Sequence, residues 1–312
     1  MKLFRSFLAA ILSFILLLLG GCSAFVLRTE LPVKVHLQYN SAGDVSQGTD
    51  IFTRRQDAVV SLVSIGSFSA EMEFGTIVNV TSGVIINREG YVLSTEFAAR
   101  PTYVDENGET YTGTWTAVYA VLPEAYGANN ALYRLEIVNL DEESGLSLFL
   151  FYDQFYISEN DGAEVEGFPI VAEFASADVP GQSCFAIGNA VGNVINEVQF
   201  RYIAEYFYRS VTSGIVAFVD DVDDSLFITA AVSPEMYGGA ILDQNGYMIG
   251  LISEKLQQVD EGGNWTFTEN ATRGIGVKSL LDYLEKVSAK LQIPIPYTCL
   301  LYTSPSPRDR SL

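Results

Sequence analysis

VSPEMYGGAILDQNGYMIGLIS, residues 232–253, is the stretch on which the fold turns. It reads as strand, tight turn, strand, second turn, strand. Gly238-Gly239 lead into the apolar Ala240-Ile241-Leu242. Asp243-Gln244-Asn245-Gly246 predicts a hairpin turn, because Asn-Gly supplies the positive φ angles such turns need. Tyr247 to Ile252 then returns as a buried strand.

Upstream, the same grammar repeats. Ala58 to Ile65 is β-branched and alternating, and Phe74 to Val80 follows. Thr81 to Ile86 runs into a turn at Asn87-Arg88-Glu89-Gly90 and out through Tyr91 to Ser94. Thr114 to Leu122, Ala131 to Asn139 and Leu146 to Phe151 complete a first set. The polar, acidic stretch Ser158 to Glu166 reads as a loop dividing two lobes. From about Pro169 a second set begins: Ser183 to Ile187, Val198 to Ile203, Tyr206 to Val219 and Phe227 to Ala231. Many short, turn-bounded runs without helical periodicity predict an all-β barrel or sandwich. The exception is Ser279 to Leu291, where Leu280, Leu281, Leu284, Val287 and Leu291 recur at helical spacing. Ser279 with Asp282 predicts its capping box.

Composition narrows the function classes. Lys and Arg number 18 against 38 Asp and Glu, a net charge of −20. That excludes nucleic acid, whose binding rests on basic side chains, and electrostatic adhesion to anionic lipid. Lys2 and Arg5 precede the apolar run Phe7 to Leu19, which is shorter than the roughly 20 residues of a spanning helix. The following Leu19-Gly20-Gly21-Cys22 resembles a bacterial lipobox, which implies a signal over 1–21, a lipid on Cys22 and an extracytoplasmic, membrane-anchored protein. A polar tether over 22–56 would hold the domain clear of the membrane. Cys184 reads as a buried small hydrophobe, and no disulfide framework is expected. The segment from Cys299 to Leu312, CLLYTSPSPRDRSL, resembles translated sequencing adapter. It is set aside from the fold, leaving a domain over 57–292 and a tail over 293–312.

Five segments, in order, resemble the HtrA-type branch of the trypsin-like serine proteases. Ser82 to Ser94 resembles that family's "SGVII…GYILT" hairpin, and Ala186 to Gly192 its "AIGNPFG". Val211 to Val216 resembles "VTSGIVS", and Glu235 to Ile241 the Gly-Asn-Ser-Gly-Gly-Pro-Leu nucleophile loop. Thr272 to Val277 resembles the last strand before a helix. The resemblance spans about Ala58 to Leu291. It implies a two-lobed antiparallel double β-barrel, with lobes at about 57–157 and 168–278 and a helix over 279–291.

The resemblance also carries the triad positions across. Phe97 stands where the family has its histidine, Gly145 where it has its aspartate, and Tyr237 where it has its serine. Glu235 takes the place of the oxyanion-hole glycine, where a Cβ and a carboxylate oppose the geometry and the charge required. A nucleophile needs a base, and the base an orienter. The single histidine, His36, falls in the predicted tether. No catalytic residue is therefore assigned. Phe97, Tyr237, Gly238, Ser213 and Gly214 are the candidates for a binding cleft. Ser213 and Ser233 have no lysine aligned beside them for a Ser–Lys dyad. Asp220 to Asp224 is acidic but lacks a calcium-loop pattern and reads as a solvated hairpin tip. No phosphate loop or Cys/His metal cluster is present, so no cofactor or metal is expected. The expectation is an inactive homologue that binds peptides or envelope proteins. The alternatives are a serine peptidase with displaced catalytic residues and a structural envelope protein.

Overall fold

The computed structural model describes residues 34–38, 51–52, 55–70, 73–100, 102–104, 110–112, 114–123, 130–158, 164–168, 171–175, 180–189, 209–259 and 265–300. The expected signal, Cys22 and the strand Val198 to Ile203 lie outside them. The chain opens with β1 (Lys34–Gln38). The first barrel then uses β2 (Val59–Ala70), β3 (Glu73–Ile85) and β4 (Tyr91–Thr95). The hairpin of β5 (Thr102–Val104) and β6 (Thr110–Thr112) forms a separate two-stranded sheet. The barrel resumes with β7 (Thr114–Pro123), β8 (Asn130–Asp141) and β9 (Leu146–Phe151), and closes in the order β2-β3-β4-β9-β8-β7.

Next come β10 (Gln154–Ser158), β11 (Glu164–Glu166) and β12 (Glu173–Ala175). The second barrel follows: β13 (Ser183–Asn189), β14 (Arg209–Val219), β15 (Ser225–Ile228), β16 (Ala240–Asp243), β17 (Met248–Val259) and β18 (Trp265–Gly276). Pairing of β16 with β17 closes it. Helix α1 (Val277–Leu291) and β19 (Thr298–Leu300) end the described chain. All-β architecture in two six-stranded antiparallel barrels with one C-terminal helix is the fold that the resemblance implied.

Alternation along the strands sorts residues between separate cores. Val60, Ile85, Val92 and Phe149 fill the first barrel; Ala186, Ile241 and Ile252 fill the second. Their neighbours Val59, Val84, Leu93, Leu148, Ile187, Leu242 and Leu251 meet in a third cluster with α1. Strands buried on both faces, such as β4, β9 and β16, read as continuous apolar runs.

Helix α1 buries Val277, Leu280, Tyr283, Leu284 and Val287. Tyr283 and Lys290 also hold Asn139 of β8, Lys290 Nζ donating to Asn139 Oδ1 at 3.0 Å. Burial pushes the Tyr283 hydroxyl up to about 12. The helix start corrects the expected capping box. The N-cap is Gly276, and Ser279 lies inside the helix. The cap comes from the β14–β15 tip, where Asp224 Oδ2 accepts from the Ser279 N–H at 2.8 Å and the Asp224 carbonyl from the Gly276 N–H at 2.8 Å. Asp224 adopts φ 57° to do so.

Three boundaries also shift. The predicted tether is structured in part: β1 pairs in parallel with β10, and Ile51 is only 2% exposed in the central core. Arg55 bonds Glu173 at 2.7 Å and lies over the Tyr247 ring. The expected dividing loop Ser158–Glu166 is flanked by an antiparallel pair, β10 with β11. Residues set aside as tail also pack: Ile295 is buried, Tyr297 meets Phe174 edge-on, and β19, which contains Cys299, pairs in parallel with β12. Apolar side chains at these positions were enough to dock segments whose polar neighbours suggested loop.

Candidate functional site

The stretch Val232–Ser253 begins without the strand predicted for it. Ser233 is extended, and Pro234–Met236 forms a 3-10 turn with Pro234 at its start, where its fixed φ suits a helical turn. Two backbone donors are consumed inside the turn. The Met236 N–H donates to the Ser233 carbonyl at 2.9 Å, and the Tyr237 N–H to the Pro234 carbonyl at 3.1 Å. Neither is left to meet an incoming carbonyl oxygen. The later turn also differs in detail. Only Gly246 takes a positive φ, 83°, while the Asp243 carboxylate accepts from the N–H groups of Asn245 and Tyr247 at 2.8 and 2.9 Å.

Gly238 is where this loop presses on the first barrel. Its φ is 85°, and a Cβ there would lie 2.2 Å from both the Ser82 carbonyl oxygen and Ser94 Oγ. The approach is held by a buried hydroxyl. Ser82 Oγ donates to the Glu235 carbonyl at 2.8 Å and accepts from the Asn189 N–H at 2.7 Å. The Ser82 N–H donates to the Tyr237 carbonyl at 2.8 Å, and Ser94 Oγ to the Ser82 carbonyl at 2.6 Å. Thus Ser82 of β3 grips the loop through polar atoms, and β4 and β13 in turn bond Ser82. The functional weight of Ser82 and Asn189 was missed in the sequence, although both lie in the quoted motifs.

The structure brings Phe97 and Tyr237 together, with ring centroids 6.3 Å apart and planes tilted by 40°. Phe97 sits on the 3-10 turn Glu96–Ala98 that follows β4, its carbonyl accepting from Asn79 Nδ2 at 3.2 Å. Gly145 lies beside that turn, its carbonyl accepting from the Glu96 N–H at 2.8 Å. The positions aligned with a histidine, an aspartate and a serine are therefore neighbours. Ser213 and Gly214 have other surroundings. Ser213 is exposed and opposite Phe185, and Gly214 packs on Thr229 and Ala230. His36 is in β1, in register with Tyr156.

The acidic tip Asp220–Asp224 is organised by its own bonds. Asp220 and Asp223 accept from the Val222 and Ser225 N–H groups, and Arg273 reaches Asp223 at 2.9 Å. Hydrogen bonds from Ser225, followed by the Arg273 guanidinium, hold the Asp223 carboxyl below its usual range.

Two barrels meeting at a loop of this shape define the double-barrel peptidase class. The family described as trypsin-like peptidase domain matches residues 81–251, more than half of the chain. The protein belongs to that family. Among solved structures, it is similar to the HtrA-type protease AlgW with decapeptide, at 17% identity and TM-score 0.52, over 78% of this chain and 68% of that one. A variant of AlgW, also with decapeptide, matches at 18% identity and TM-score 0.55, over 80% and 68%. No curated protein matches.

Proposed function

We propose that this protein is a pseudoprotease: a trypsin-like domain without a working triad, lipid-anchored to the cell envelope, that binds peptide or protein segments rather than cutting them. The carrying observation is the Phe97–Tyr237 ring contact at the positions aligned with base and nucleophile. The aromatic hydrocarbon ring of Phe97 takes no proton, so the position aligned with the base cannot activate a nucleophile. The second support is the inward-bonded turn at Pro234–Met236, with Glu235 where an oxyanion donor would stand. A carboxylate at that place would raise the energy of a developing oxyanion. Peptide binding is favoured because the structurally similar AlgW carries a decapeptide, and because Phe97 keeps 38% of its surface exposed beside Tyr237. The extracytoplasmic anchor rests on the lipobox-like Leu19 to Cys22.

The test is activity-based labelling of the purified full chain with a fluorophosphonate, together with casein hydrolysis. Neither is expected to give signal, and Tyr237→Ser is expected to give none either, because Phe97 and Gly145 stand at the positions aligned with base and orienter. Labelling of the wild-type protein would overturn the reading in favour of a displaced serine nucleophile. Absence of binding to any member of a peptide library would favour a purely structural role.

A further inference from the structure

The turn that joins β16 to β17 carries an Asn-Gly pair, and we infer from its geometry that Asn245 is a site of spontaneous deamidation held in check by Asp243. The modification converts the Asn245 carboxamide to aspartate or isoaspartate, and its reagent is water. It bears on closure of the second barrel and does not depend on the binding role proposed above.

The following residue makes the chemistry accessible. The Gly246 nitrogen, after giving its proton to a solvent base, attacks Asn245 Cγ. The Cγ–Nδ2 bond then breaks, and ammonia leaves with a proton from solvent. Water opens the resulting cyclic imide at either carbonyl, giving aspartate or isoaspartate, so one water is consumed for each ammonia released. Glycine has no Cβ to crowd the attack. Asn245 is exposed, so solvent reaches it.

The folded turn opposes each part of that step. The Gly246 N–H is held by the Asp243 carbonyl at 3.1 Å, so the attacking nitrogen is occupied. Asn245 Nδ2 donates to Asp243 Oδ2 at 3.1 Å, which keeps the carboxamide on Asp243. The Asn245 and Tyr247 N–H groups, bonded to Asp243 Oδ1 at 2.8 and 2.9 Å, fix the backbone around it. Cyclisation therefore waits for the turn to open. Asp243 is also 2% exposed, so water screens its charge little, and a negative charge there disfavours the anion that forms during the attack. The same turn sets the consequence. It connects the two strands whose pairing closes the second barrel. Isoaspartate lengthens the main chain at that point by a methylene, and either product puts a second carboxylate beside Asp243.

The test incubates the purified full chain at mildly alkaline pH, folded and in urea, and follows the peptide containing Asn245 by mass spectrometry with isoaspartate-specific detection. Conversion is expected in urea, and at least about 10-fold more slowly in the folded protein, because several hydrogen bonds must break first. Asp243→Asn keeps an oxygen for the two backbone N–H groups, but it carries no charge and its amide nitrogen accepts nothing from Asn245. It should speed conversion of the folded protein about 3- to 10-fold, with circular dichroism checking that the variant is folded. Asn245→Asp supplies one product outright and should lower the Tm. Equal rates in the folded protein and in urea would overturn the protection, a comparison that needs no variant. A folded Asp243→Asn protein converting at the wild-type rate would remove Asp243 from the account. No conversion in urea would overturn the site itself, and an unchanged Tm for Asn245→Asp would refute the consequence for barrel closure.

Discussion

Ser82→Ala removes one oxygen atom and should lower the free energy of unfolding by about 2–4 kcal/mol. The residue is 0% exposed, so water does not replace what is lost. Its hydroxyl serves two backbone groups, the Asn189 N–H at 2.7 Å and the Glu235 carbonyl at 2.8 Å. Asn189 is buried, and stranding its N–H costs about 1–3 kcal/mol. Glu235 is half-exposed, and its carbonyl can recover partly through solvent, a loss of about 0.5–1.5 kcal/mol. The backbone bonds of Ser82 to Tyr237 and Ser94 remain, so the loop should loosen without detaching. Urea unfolding followed by tryptophan fluorescence gives the free-energy change, and hydrogen exchange at the Asn189 amide reports the bond itself. A loss below about 0.5 kcal/mol, with Asn189 protection unchanged, would refute the idea that this hydroxyl clamps the loop.

Gly238→Ala should be more damaging, above about 3 kcal/mol, because it combines a positive φ with two contacts at 2.2 Å, one of them backbone; soluble yield and a lowered Tm check this. Stability should fall on the alkaline side. Burial raises Cys184 from 9.0 to about 12 and Tyr283 from 10.0 to about 12, so the folded state holds these protons more tightly than the unfolded chain. Their contribution is complete below pH 9 and is lost as pH rises towards 12. Cys184→Ala and Tyr283→Phe should each flatten the pH dependence of the urea midpoint over that window; an unchanged slope would show that neither group is responsible.

The barrels were legible because their strands are marked by local chemistry: β-branched runs, and turns such as Asp243–Gly246 whose side chains bond their own backbone. Less legible was whatever depends on a partner far along the chain. The α1 cap comes from Asp224, which no pattern near Ser279 announces. The 3-10 turn at Pro234–Met236 replaced a predicted strand because a short Val-Ser run could not outweigh proline at a turn start. At the site, the meeting of Phe97 and Tyr237 followed from the family alignment. The Ser82 clamp did not, because its partners are backbone atoms, and main-chain groups leave no trace in residue identity.

The sorting of strand residues between cores bears on how the domain comes apart. Strands β3, β4 and β9 each give residues to the first barrel and to the central cluster, and β13, β16 and β17 do the same from the second. Withdrawing any of these strands strips two cores together. Neither barrel can therefore melt while the other keeps its native packing, and denaturant should dissolve both lobes in one cooperative transition.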